Sequence, residues 1–164
     1  MGICAGDGMN AVRKLPREDE VGISARGAPS VWPGLGLEQR FDAVRGRSLD
    51  LAAPLSAEDC CGQSMPDASP TKWHLAHTSW FFDVFVLEPL ERNFEPFRPE
   101  FRVLFNSYYN AVGDKYPRPQ RGFLTRPSLT EVRAYREHVD ARVRALLATH
   151  RTDSRLSELV ELGL

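Results

Sequence analysis

One stretch limits the possible folds more than any other. After Ser69, the residues Trp73, His77, Trp80, Val84 and Leu87 fall at i, i+4, i+7, i+11 and i+14, and Phe81 and Phe85 widen the stripe. Large apolar groups at that spacing line one face of an α-helix. Ser69 is placed to cap the helix, and Pro70 to occupy the first helical position, where its missing N–H is no loss. Pro89 ends or kinks it.

Three other segments share the helical period. Leu37, Phe41, Val44, Leu49 and Ala52 predict an amphipathic helix that stops before Pro54. Ser128-Leu-Thr-Glu131 is a capping-box pattern. It opens a helix with the stripe Leu129, Val132, Tyr135, Val139, Val143, Leu146 and Leu147. Asp153 or Ser154 caps a last segment with Leu156, Leu159, Val160 and Leu164 on one side. That stripe is still running at Leu164, which predicts an incomplete fourth helix and a chain that is part of a longer protein. No strand alternation or internal repeat appears. The expected fold is an all-α, up-and-down four-helix bundle.

Residues 89–127 hold six of the twelve prolines, predicting a long irregular connection with short helical turns. Its aromatic run Phe101-Arg-Val-Leu-Phe-Asn-Ser-Tyr-Tyr-Asn110 should pack against the bundle. Residues 1–36 alternate glycine-rich and charged pieces without a period. They read as a disordered or mis-annotated extension ahead of a domain at 37–164.

Composition removes several functional classes. The 164 residues carry 21 Lys+Arg against 22 Asp+Glu, so no basic excess supports nucleic-acid or anionic-membrane binding. No apolar run is long enough to span a bilayer, and no charged-then-apolar secretory pattern opens the chain. Cys4, Cys60 and Cys61 form neither a disulfide framework nor a Cys-x-x-Cys zinc pattern, which points to a reducing, cytoplasmic compartment.

Two constellations could carry chemistry. In Trp73-His-Leu-Ala-His-Thr78, His74 and His77 lie about one turn apart, and His77 falls on the apolar stripe. A partly desolvated imidazole stays neutral, as a metal ligand must. The competing role is a hydrogen-bonded core histidine. His138 lies beside its helix's stripe and His150 at a helix end, suiting surface or dipole roles. The second constellation is Tyr116-Pro-Arg-Pro-Gln-Arg-Gly122, which holds Arg118 and Arg121 in a proline-stiffened loop. Guanidinium forks bind carboxylates in bidentate fashion, and a stiff loop loses little entropy in doing so. The competing role is a solvated surface loop. Cys60 and Cys61 have no adjacent base to activate a thiol, so a structural role is expected.

Four segments carry a family resemblance: Phe41-Asp-Ala-Val-Arg45, Ser64-Met-Pro-Asp-Ala-Ser-Pro-Thr-Lys-Trp-His-Leu-Ala-His77, Phe105-Asn-Ser-Tyr-Tyr-Asn110 and Pro117-Arg-Pro-Gln-Arg-Gly122. Together they resemble the N-terminal DinB-like domain of the ergothioneine-biosynthesis sulfoxide synthases (the EgtB family of hercynine oxygenases), over about residues 37–164. The resemblance implies a non-haem Fe(II), O2-dependent enzyme that joins the sulfur of cysteine or γ-glutamylcysteine to hercynine. It implies iron held by three histidines, one of them His77. The other two come in that family from a His-x-x-x-His pair on the fourth helix, which this sequence does not contain. It implies Arg118 and Arg121 as the groups that hold the thiol substrate's carboxylate. The family's second domain, which supplies the catalytic tyrosine, is also not in this sequence. The chain alone is therefore expected to bind iron weakly and to be inactive. The alternatives are a non-catalytic DinB-like binding module and another DinB-like metal-dependent thiol enzyme.

Overall fold

The computed structural model describes residues 34–164, so the expectations for residues 1–33, Cys4 included, lie outside the described residues. Four long helices form the frame: α1 (Leu37–Ala52), α2 (Thr71–Phe82), α3 (Leu129–Thr149) and α4 (Ser154–Gly163). Among the described residues there is no strand, as the all-α expectation requires. No helix among them is long and apolar enough to cross a membrane.

Helix α2 is the centre. It packs against α1, α3 and α4. Lys72, Trp73, Leu75, Ala76, Ser79, Trp80, Phe81 and Phe82 are all buried, so nearly its whole circumference faces protein. A helix apolar on most sides must be enclosed in this way. Its path continues through a π-turn at Asp83–Leu87 and a last turn at Glu88–Leu90. Pro89 has no N–H to offer the Phe85 carbonyl four residues back, and the helix widens across that carbonyl rather than breaking.

Local signals account for the other helix ends. The Ser128 hydroxyl accepts from the Glu131 amide at 3.2 Å, and the Glu131 carboxylate accepts from the Ser128 amide at 2.9 Å. Asp153 caps α4 by accepting from the amides of Arg155 and Leu156. Gly36 sits at the N-cap of α1, its amide donating to Gln39 Oε1 at 3.1 Å.

Two expectations are corrected. Leu49 does not belong to the inward face of α1, being 37% exposed; Phe41, Arg45 and Ala52 are its buried residues. Arg45 turns inward because α3 supplies a counter-charge. Its Nε donates to Asp140 Oδ1 at 2.7 Å, and its Nη2 donates to Ser79 Oγ at 2.7 Å. Arg136 is buried beside it, donating to the Arg45 carbonyl at 2.9 Å and to Thr78 Oγ1 at 2.9 Å. The faces of α1 and α3 thus meet through a polar cluster as well as an apolar one. Finally, Ser69 does not cap α2: Pro70 is the N-cap residue, and the Ser69 hydroxyl accepts instead from Arg121 Nη1 at 2.8 Å. A hydrogen bond from a cation is stronger than one from a neutral amide.

The connection from α2 to α3 contains short turns at Phe101–Leu104, Asn110–Val112 and Arg118–Phe123. Its aromatic run packs inward as expected, with Phe101, Phe105 and Tyr109 buried. Fully buried Asn106 knits the segment together. Its Nδ2 donates to the carbonyls of Tyr109, Gly113 and Asp114, and its Oδ1 accepts from the Tyr109 amide. Gly113 makes the reversal at φ +121°, a region that side chains rarely enter. Cys60 is buried and Cys61 partly buried; both are free thiols.

Candidate functional site

Three ring nitrogens on one face of α2 meet one short stretch of backbone. Trp73 Nε1 donates to the Leu104 carbonyl at 3.1 Å and Trp80 Nε1 to the Arg102 carbonyl at 3.0 Å. Between them, His77 Nδ1 lies 2.7 Å from the Phe105 carbonyl oxygen. A carbonyl only accepts, so Nδ1 carries the proton and Nε2 carries the lone pair. The carbonyls at the end of the Phe101–Leu104 turn are the groups a helix terminus leaves unpaired, and the three rings satisfy them.

The His77 ring is partly buried and stacked among aromatics. It lies 4.6 Å from the Trp73 ring at 15°, and 5.6 Å from the Trp80 ring at 19°. Burial, reinforced by the nearby Arg121 charge, lowers its pKa to about 4, against the pull of the Phe105 hydrogen bond. The ring is therefore neutral near pH 7, with its Nε2 unprotonated and without a hydrogen-bond partner among the described residues. That arrangement, with the far nitrogen bonded to a backbone carbonyl, is the one a metal-ligating histidine adopts.

Arg121 reaches the same place from the long connection. Its guanidinium carbon is 3.5 Å from the centroid of the Trp73 ring, so one indole touches both candidate groups. Nη1 donates to Ser69, Nη2 approaches Ser107 Oγ at 3.5 Å, and buried Nε has no partner. Only 3% of Arg121 is exposed, and among the described residues no carboxylate pairs with it. Burial first, and then the neighbouring Arg118 charge, lowers its pKa to about 10. Arg118 lies at the start of the same turn and is exposed. A buried cation with an unpartnered donor and no carboxylate beside it favours an anionic partner.

The other histidines do not join His77. His74 is exposed on the first turns of α2, His138 shares a hydrogen bond with Arg142, and His150 sits beside Thr149 at the end of α3. Among the described residues, no three His, Cys, Asp or Glu side chains gather as a metal site. One donor of the right chemistry is present, and a complete donor set is not. Sequence spacing did not reveal Ser69, Ser107 or Trp73 as partners of Arg121. Their approach depends on how the connection folds back over α2.

The helical frame carries this imidazole–indole–guanidinium cluster where its central helix meets the long connection. Residues 40–160 match the family model of the DinB superfamily, and the chain belongs to that superfamily. Comparison with curated proteins finds no match.

Proposed function

We propose that this chain carries one ligand of a non-haem iron centre and the carboxylate-binding arginines of a hercynine oxygenase, a sulfoxide synthase of ergothioneine biosynthesis. The observation that carries the reading is the His77 tautomer. A neutral ring donates Nδ1–H to Phe105 and leaves Nε2 as an unprotonated donor. Buried Arg121, with exposed Arg118 beside it, supports the second half of the reading, the capture of a thiol substrate's carboxylate. Iron, when bound, would supply the O2 chemistry. The residues of this chain would hold it at Nε2 of His77 and would hold the carboxylate of cysteine or γ-glutamylcysteine at Arg121 and Arg118. Two further imidazoles are required, and His74, His138 and His150 do not supply them. On this reading they lie beyond residue 164, and the protein works in the cytoplasm, where Cys60 and Cys61 stay reduced.

The test is anaerobic Fe(II) binding by the polypeptide translated through the codons after Leu164. Stoichiometric iron that disappears in His77→Ala is expected. Unchanged iron in that variant removes His77 from the site. With turnover restored, Arg118→Ala and Arg121→Ala should raise the thiol KM well above any change in the hercynine KM.

One observation favours a second reading. His77 is the middle of three ring donors that dock the 102–105 backbone, so it could serve only as a structural peg in a non-catalytic DinB-like module. On that reading, His77→Asn, which keeps a side-chain N–H, would preserve the fold and every binding property of the protein.

A further inference from the structure

We infer that Gln63 is a positioning residue of the arginine site, its side-chain amide setting both Arg121 and the Ser69 hydroxyl that Arg121 meets. The inference rests on the carboxylate-binding reading of Arg118 and Arg121. Gln63 lies in the loop before α2, far from the arginines in sequence. Its Oε1 accepts from the Gly122 amide at 2.6 Å. Its Nε2 donates to the Arg118 carbonyl at 2.9 Å and to the Ala68 carbonyl at 2.8 Å.

These three bonds do different things. Those to Arg118 and Gly122 hold both ends of the segment that contains Arg121. The bond to Ala68 holds the residue before Ser69, the hydroxyl that accepts from Arg121 Nη1. One side chain therefore sets the spacing between the two halves of the Arg121–Ser69 pair. The turn's own backbone bonds, Gln120 to Pro117 and Leu124 to Arg121, stay within the turn and do not anchor it to the bundle. Just beyond it, buried Lys72 Nζ donates to the Leu124 carbonyl at 2.9 Å, which anchors the exit but not the arginines. The turn also seats directly on Gln63. A Cβ added to Gly122 would lie 2.9 Å from Gln63 Cβ and from Oε1, so only glycine allows this approach.

The chemistry of the amide is specific. Both donors meet carbonyls and the oxygen meets an N–H. Glutamate has the same shape but no donors, and would set carboxylate oxygens against the Arg118 and Ala68 carbonyls. Leucine approximates the volume and makes none of the three bonds.

The experiment compares L-cysteine with cysteamine, which lacks the carboxylate, by calorimetric titration of the metal-free protein under anaerobic conditions. The wild-type protein should prefer L-cysteine, and Arg121→Lys should erase the preference. Gln63→Leu and Gln63→Glu should each reduce it roughly tenfold, with cysteamine affinity unchanged, because a displaced guanidinium loses its bidentate geometry. The Arg121 Nε–H resonance should shift in both variants, an independent measure should one of them fold poorly. If Arg121→Lys erases the preference while both Gln63 variants keep it, the inference is overturned and the carboxylate reading stands. Equal weakening of both ligands by the Gln63 variants would make Gln63 a general structural residue and also overturn it. If the wild-type protein shows no preference, or Arg121→Lys keeps it, the carboxylate reading fails and takes the inference with it.

Discussion

The His77 imidazole and the Phe105 carbonyl, 28 residues apart in sequence, meet at 2.7 Å and decide which ring nitrogen is free. The contact joins the central helix to the long connection. It also sets the pH behaviour of the site.

His77 should remain neutral well below the usual histidine range. Its folded pKa, about 4, lies below the unfolded value of about 6.5. A base depressed in this way contributes stability that is complete above the unfolded value and is lost as pH falls toward the folded one. Ring 15N shifts should report an Nδ1–H tautomer at pH 6. Chemical unfolding of wild type against His77→Asn should show the wild type losing ground between roughly pH 6.5 and 4. Titration of His77 near its ordinary value would contradict the buried geometry.

Asp83 should behave in the opposite sense. It is buried at the start of the π-turn, accepts from Tyr135 OH at 2.9 Å through Oδ2, and has an unpartnered Oδ1. Burial raises its pKa to about 6 despite that hydrogen bond. An acid raised on folding contributes stability that is greatest below its unfolded pKa and is lost as pH rises through the folded one. The stability of wild type relative to Asp83→Asn should therefore fall by about 2–3 kcal/mol between roughly pH 4 and 7. A flat difference across that range would show that the carboxylate is solvated.

Asp140 is the sole carboxylate hydrogen-bonded to Arg45 or Arg136 among the described residues. Asp140→Ala would leave two buried guanidinium groups without it, at a cost of about 3–5 kcal/mol in unfolding free energy. Replacing Arg45 and Asp140 together by Met and Leu should cost less, since only Arg136, and not both guanidinium groups, is then left without the carboxylate. Urea titration of the single and double variants measures both. A small loss in the single variant would mean that water reaches the cluster.

Gly163 marks where α4 meets the central helix. A Cβ there would lie 2.6 Å from the Phe82 ring and 2.8 Å from Phe81. Phe82 is fully buried and packs edge-on against Phe41 and Phe81, so it has little room to move. Gly163→Ala gains helix propensity and loses more to overpacking, with a net destabilisation of about 1–3 kcal/mol. A raised melting temperature would show that α4 stands further from α2 than the structure places it.

Much of the frame was legible in the residues. The capping box at Ser128 and Glu131, the Asp153 cap and the period of α3 are local properties, decided within a turn or two of helix. The inward packing of the 101–110 run followed from its aromatic content. The candidate site was legible only as residue types: one histidine on an apolar stripe and two arginines among prolines.

What the amino-acid order determined alone is helix placement, because capping and amphipathic periodicity depend on near neighbours. The tertiary structure decided which polar groups go inside and what they meet. Arg45 is buried because Asp140 arrives from 95 residues away, and Ser69 gives up its cap to Arg121 across 52 residues. The His77 tautomer waits on a carbonyl in another segment. Burying a charge or choosing a tautomer requires a specific partner, and only the folded chain brings distant partners within hydrogen-bonding range.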